Sequence, residues 1–123
     1  MLELEHKGLV GIGEAAPIER YGQDWQSAAN AAEIIADRLA DPTRFFDAAN
    51  RLAPAGQPAA EAAMDMALRD LAGKRLGAPL YELLGLDPAA TPPTSFTIGM
   101  DTPEAIAAKV AEAGDYEILK IKM

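Results

Sequence analysis

The sequence predicts an α+β chain: a mostly helical region that opens on extended residues, then a strand–helix–strand unit of parallel sheet. Three observations predict it. Leu2, Leu4 and His6 alternate with Glu3, Glu5 and Lys7, a period of two that belongs to strands. Between Asp24 and Lys74 the apolar residues recur at helical spacing. From Thr94 to Met123 a β-rich run, a capped helix and a second β-rich run follow with short joins, which makes the strands parallel and the crossover right-handed.

The composition bounds what such a chain can do. At 123 residues, 50% hydrophobic and 24% charged, it fits one soluble globular domain or a piece of a larger one. A complete eightfold βα barrel would need about 250 residues. The net charge of −8 argues against nucleic acid and an anionic membrane surface, both of which require clustered Lys and Arg. No cysteine is present, so thiolate nucleophiles and zinc–thiolate sites are excluded. No apolar run approaches the roughly 20 residues of a membrane span, and the expectation is a cytoplasmic protein.

The elements follow in order. Residues 2–13 read as extended, interrupted by Gly8, Gly11 and Gly13, with no obvious partner strand. Asp24 caps a helix running to Ala40, whose buried face holds Ala28, Ala31 or Ala32, Ile35 and Leu39. Asp41-Pro42 ends it and opens a short helix with Phe45, Phe46, Ala49 and Leu52 inward. After a loop at 53–58, a helix from Pro58 to about Lys74 buries Ala60, Met64, Ala67, Leu68 and Leu71, with Gly73 near its end. Pro79 to Leu84 forms one more short helix, stopped by Gly85. The prolines of 87–93 mark the domain boundary. Thr94–Gly99 is a strand. Thr102 caps a helix that begins at Pro103, carries Ile106, Ala107, Val110 and Ala113, and stops at Gly114. Tyr116–Met123 is the second strand. An open two-stranded parallel sheet leaves unpaired backbone and an uncovered face, so the expectation is a chain truncated at its C-terminus and at its N-terminus.

Candidate chemistry concentrates at Lys120-Ile121-Lys122. Alternation sends both lysines to one face, while Leu119, Ile121 and Met123 lean toward the crossover helix. Two ammonium groups about 7 Å apart repel. Burial and like charge favour a neutral amine, able to accept a proton near neutral pH. Solvated lysines guarding a sheet edge give the same pattern and are the commoner outcome. Ser95, Thr97 and Gly99 share one face of the preceding strand. Thr97 either meets a ligand at the strand's C-terminal end or bonds a neighbouring main-chain group. Arg20, in the polar loop 18–22, is either a carboxylate donor or a solvated turn residue. Gly11-Ile12-Gly13-Glu14-Ala15-Ala16 fits G-x-G-x-x-A formally, but Pro17 and the missing helix favour a glycine-rich strand end over a nucleotide site. Asp65 and Asp70 have no cluster at metal-ligand spacing and read as a solvated face or caps. Serine–histidine catalysis is poorly supported, with only Ser27, Ser95 and His6 to draw on.

Taken together, several segments resemble the enolase superfamily. They are residues 11–17 (Gly-Ile-Gly-Glu-Ala-Ala-Pro), 63–74 (Ala-Met-Asp-Met-Ala-Leu-Arg-Asp-Leu-Ala-Gly-Lys), 79–85 (Pro-Leu-Tyr-Glu-Leu-Leu-Gly), Thr97-Ile98-Gly99 and Leu119-Lys120-Ile121-Lys122-Met123. Within it they are most similar to the muconate-lactonising subgroup and its dipeptide (L-Ala-D/L-Glu) epimerases. The resemblance implies an α+β capping domain over residues 1–92, lacking its first strands. Residues 93–123 would then be the first βαβ of a truncated TIM-type (β/α) barrel. It implies that Lys122 is the acid/base that removes or returns the proton α to a carboxylate. Lys120 would bind that carboxylate and lower the basicity of Lys122, Thr97 would contact substrate, and the mobile cap loop would place Arg20 on it. Superfamily sites use a Lys or His base with Mg²⁺ stabilising the ene-diolate, a general pattern rather than a deduction from these residues. The resemblance puts the Mg²⁺ ligands and the opposite-face lysine beyond Met123, so no metal ligand is expected within this chain. It also implies a small-molecule dipeptide or other carboxylate substrate and a homo-oligomeric whole enzyme. Cycloisomerases, N-acylamino-acid racemases and o-succinylbenzoate synthases share the paired lysines and stay open as alternatives. So does a non-catalytic helical interaction module.

Overall fold

The computed structural model describes residues 1–39, 41–44 and 56–122, which divide into two compact units, Met1–Leu86 and Asp87–Met123. The division falls where the proline-bearing stretch begins.

The extended region of the first unit is a hairpin rather than one strand. β1 (Leu2–His6) pairs antiparallel with β2 (Leu9–Gly13), with Leu4 opposite Gly11. The partner strand missing from the sequence reading is therefore the second half of the same segment. Lys7 and Gly8 both have positive φ, 52° and 80°, as a two-residue hairpin turn of type I′ requires. Lys7 disguised the turn, because a long side chain is uncommon in the left-handed region.

α1 (Trp25–Arg38) starts at a capping box. The Ser27 N–H donates to Asp24 Oδ1 at 2.7 Å, and the Asp24 N–H donates to Ser27 Oγ at 3.1 Å. Hydrogen bonding from Ser27, its backbone N–H first, holds the Asp24 carboxyl below its ordinary pKa. Asp41–Arg44 is a turn, and the short helix expected over Phe45, Phe46, Ala49 and Leu52 lies outside the described residues. α2 (Pro58–Leu76) runs past Gly73. It ends at Gly77, whose φ of 64° lets its N–H reach the carbonyls of Gly73 and Lys74. α3 (Leu80–Leu83) follows the extended Pro79, and Gly85 succeeds it with φ 65°.

The core is where α1 and α2 meet beneath the hairpin. Ala28, Ala31, Ile35, Ala60, Met64 and Leu68 are buried, with Leu2, Leu4, Ala32 and Leu39 packed against them. Alanine on both helices brings the backbones close. β2 comes closer still, because an added Cβ at Gly13 would overlap the Ala63 carbonyl and one at Gly11 the Ala67 carbonyl. The glycines of the formal G-x-G-x-x-A motif are thus packing residues, and no helix begins among residues 14–18.

The outward edge of β2 is closed by side chains of α2. The Ile12 N–H donates to Asp70 Oδ2 at 2.8 Å, and Lys74 Nζ donates to the Val10 carbonyl at 2.7 Å. Lys74 also pairs with Asp70 at 2.6 Å. The Lys74 and Ile12 donors hold the Asp70 carboxyl below its ordinary pKa. The folded pKa is therefore the lower one. The stabilisation is complete above the unfolded carboxyl's value of about 4 and is lost as pH falls through the folded value. Asp70→Asn keeps an acceptor for Ile12 but loses the ion pair. The stability gap between the two chains, read as urea midpoints, is expected to be constant from pH 7 to about pH 5 and to shrink on further acidification. A gap equally wide at every pH would contradict this.

In the second unit β3 (Ser95–Ile98) and β4 (Ile118–Ile121) pair in parallel, joined through α4 (Pro103–Glu112). Thr102 caps α4, its Oγ1 accepting from the Ala105 N–H at 3.3 Å, with Pro103 as first residue. Ile98 and Ala113 are buried, and the Phe96 and Tyr116 rings meet at 5.1 Å. The sequence reading overstates the cover on β4: Leu119 and Ile121 are 40% and 59% exposed, and Val110 of the helix is exposed too. α4 rests on β3. Met123 lies outside the described residues. Among those residues no helix is long and apolar enough to cross a membrane. The unit shows one two-stranded parallel sheet and does not itself show a barrel.

Candidate active site

The parallel register places Thr97 opposite Lys120 and Ser95 opposite Ile118. Alternation then gives Ser95, Thr97, Ile118 and Lys120 one face, and Phe96, Ile98, Leu119 and Ile121 the other. Lys122 lies one residue past β4, yet its N–H donates to the Ile98 carbonyl at 3.0 Å. The ladder pattern thus continues through it, and its side chain returns to the Lys120 face about 7 Å along the strand. Gly99, one residue past β3, has nothing within 4 Å of where a Cβ would stand. The C-terminal end of this sheet therefore presents two ammonium groups and a hydroxyl beside open space. Thr97, Lys120 and Lys122 are all exposed. Such a patch attracts a carboxylate through charge-assisted hydrogen bonds, and a lysine in its neutral form can accept a proton from carbon.

The segment after the strand is tied down. Asp101 Oδ2 pairs with Lys109 Nζ at 2.9 Å, and Asp101 Oδ1 accepts the Thr102 N–H at 2.9 Å. These contacts, Lys109 foremost, hold the Asp101 carboxyl below its ordinary pKa.

Arg20 belongs to the first unit. It sits on a single 3-10 turn, Glu19–Tyr21, closed by Gly22 at φ 69°, and is exposed. The structure thus gathers Thr97, Lys120 and Lys122 onto one face, and Arg20 is described only within its own unit. Asp65 and Asp70 are committed elsewhere, Asp65 to Arg69 at 2.8 Å and Asp70 to Lys74 and Ile12. Among the described residues no three His, Asp or Glu side chains could together hold a metal ion. A hard divalent cation takes carboxylate and carbonyl oxygens. The lysine face offers ammonium groups and hydroxyls, so these residues do not fit Mg²⁺. Three ion pairs escape the sequence analysis: Asp65–Arg69, the Asp101–Lys109 pair and the Asp70–Lys74 clasp on β2. The first and last carry a legible signal, an acid and a base four apart on one helix face.

Residues 1–85 match the family described as mandelate racemase / muconate lactonizing enzyme, N-terminal domain. The chain belongs to this family. Among mandelate racemase/muconate lactonizing enzyme relatives, an L-Ala-D/L-Glu epimerase of Bacteroides thetaiotaomicron is 41% identical over 127 aligned positions, covering 99% of this chain and 33% of that protein. Two solved structures agree with it. An enolase family member from Agrobacterium tumefaciens with homology to dipeptide epimerases holds sodium and L-Ala-L-Glu with an ordered loop. It matches at a TM-score of 0.74 and 33% identity, over 98% of this chain and 36% of that one. A mandelate racemase/muconate lactonizing enzyme from Roseovarius nubinhibens, complexed with magnesium, matches at a TM-score of 0.78 and 32% identity, again over 98% of this chain and 36% of that one. The chain spans about a third of the length of the curated relatives it matches.

Proposed function

We propose that this chain supplies the capping domain and one acid–base face of a dipeptide epimerase, with residues 93–123 beginning a (β/α) barrel. The observation that carries the reading is the register that sets Thr97 directly across from Lys120, with Lys122 next on the same face. Lys122 removes the proton α to the substrate carboxylate. The C–H electron pair moves onto the carboxylate, and the proton rests on the Lys122 amine until it is returned. Lys120 pairs with that carboxylate as a cation, and the Thr97 hydroxyl bonds the substrate alongside it. Arg20 is the proposed donor to a second carboxylate, which suits a dipeptide ending in an acidic residue. No residue of this chain is assigned to a divalent cation.

Both lysines work from one side of the substrate. Inverting a stereocentre requires a proton delivered to the other side, for which these two residues have no reach. A protein of the relatives' full length carrying this chain is expected to convert L-Ala-L-Glu into L-Ala-D-Glu, followed by chiral chromatography. The 123-residue chain alone is expected to stay at background. Absence of inversion by the full-length protein across a panel of L-Ala dipeptides would contradict the reading, as would stereospecific turnover by the short chain.

A further inference from the structure

We propose that Asp101 and Lys109 are positioning residues that hold the mouth of the lysine face in place. This rests on the epimerase reading for its function but not for its structure. Four residues, 99–102, separate the end of β3 from the start of α4. At one end the Ile98 carbonyl is fixed by the Lys122 N–H at 3.0 Å, so the loop departs from the site's own ladder. At the other end Thr102 caps the helix. Between them, Gly99 has open space around it and Met100 is 75% exposed, so packing does not hold this stretch.

Asp101 supplies the missing restraint. One carboxylate oxygen takes the Thr102 N–H, and the other takes the ammonium of Lys109, two helical turns along α4. The bond to Thr102 also orients the residue that caps Ala105, so ladder, loop and helix become one connected set. An exposed ion pair alone contributes little. Its consequence lies in geometry, because Thr97 and Gly99 sit immediately upstream, and catalysis is sensitive to small displacements of substrate-contacting groups.

The test compares Lys109→Met, Lys109→Arg and Asp101→Asn. In this chain, amide hydrogen exchange at Met100, Asp101 and Thr102 is expected to accelerate about threefold in Lys109→Met and in Asp101→Asn, the scale of an exposed pair. Lys109→Arg, which keeps the cation, is expected to restore wild-type exchange. In the full-length protein Lys109→Met is expected to raise KM for the dipeptide about threefold with kcat within twofold, and Lys109→Arg to reverse it. Wild-type exchange in all three variants would overturn the proposal. So would acceleration in Lys109→Arg equal to that in Lys109→Met. An exchange response in a full-length protein that turns over no dipeptide would sustain the restraint and reject the epimerase reading.

Discussion

Gly13→Ala is expected to destabilise the first unit by about 3 kcal/mol or more, the upper end of the range for overpacking. The reason is what the new methyl group meets. A Cβ at Gly13 would overlap the Ala63 carbonyl oxygen and crowd the Ala67 backbone N. A side chain can swing away from such a clash, but helix backbone cannot without breaking its own ladder. Either β2 must lift off α2 or the hairpin must shift, and each loosens Leu2 and Leu4 from the core of Met64 and Leu68. Against the 5–15 kcal/mol typical of a domain, that loss is a large fraction. Gly99→Ala, where the added methyl meets open space, is the control and is expected to stay near wild type. Urea midpoints measure both. Equal midpoints for Gly13→Ala and Gly99→Ala would show that β2 does not owe its approach to α2 to these glycines.

Replacing Lys122 is expected to lower kcat of the full-length protein by about 10²- to 10⁴-fold, the usual contribution of a positioned general base. Lys122→Arg should lose as much as Lys122→Ala. A guanidinium keeps the charge but does not give up its proton in proteins, so it cannot act as the base. Lys120→Ala should lower kcat as well as raise KM, because the carboxylate that its ammonium pairs with gains negative charge as the C–H electrons move onto it. Both lysines are exposed and neither holds the core, so unfolding midpoints should move little. A Lys122→Arg enzyme near wild-type rate would move the base elsewhere.

Most of the fold was legible because it is written in local signals. Asp24, Thr102-Pro103 and Gly85 mark helix ends by capping and backbone chemistry, and the buried faces of α1 and α2 follow the helical period of Ala28, Ile35, Met64 and Leu68. The failures have equally physical causes. Lys7-Gly8 hid a hairpin because its first residue is one that rarely takes positive φ. Gly73 lies near the end expected for its helix yet stays helical, and Gly77, in the left-handed region, ends α2. Leu119 and Ile121 are expected under the crossover helix, which rests on β3 and leaves both exposed. The site was half legible. Strand alternation alone brings Lys120 and Lys122 to one side, but only the pairing register shows that Thr97 stands across from Lys120. The Asp101–Lys109 pair lies eight residues apart, a spacing no helical rule flags, because Asp101 precedes the helix.

The measurement that tests the central claim most directly is deuterium wash-in at the substrate α-carbon. The full-length protein is incubated with L-Ala-L-Glu in D₂O and the Glu Cα is followed by NMR. Deuterium should enter at that carbon with the unmodified protein and stay at background with Lys122→Arg. Wash-in at the unmodified rate by Lys122→Arg would contradict the assignment of the proton to the lysine face.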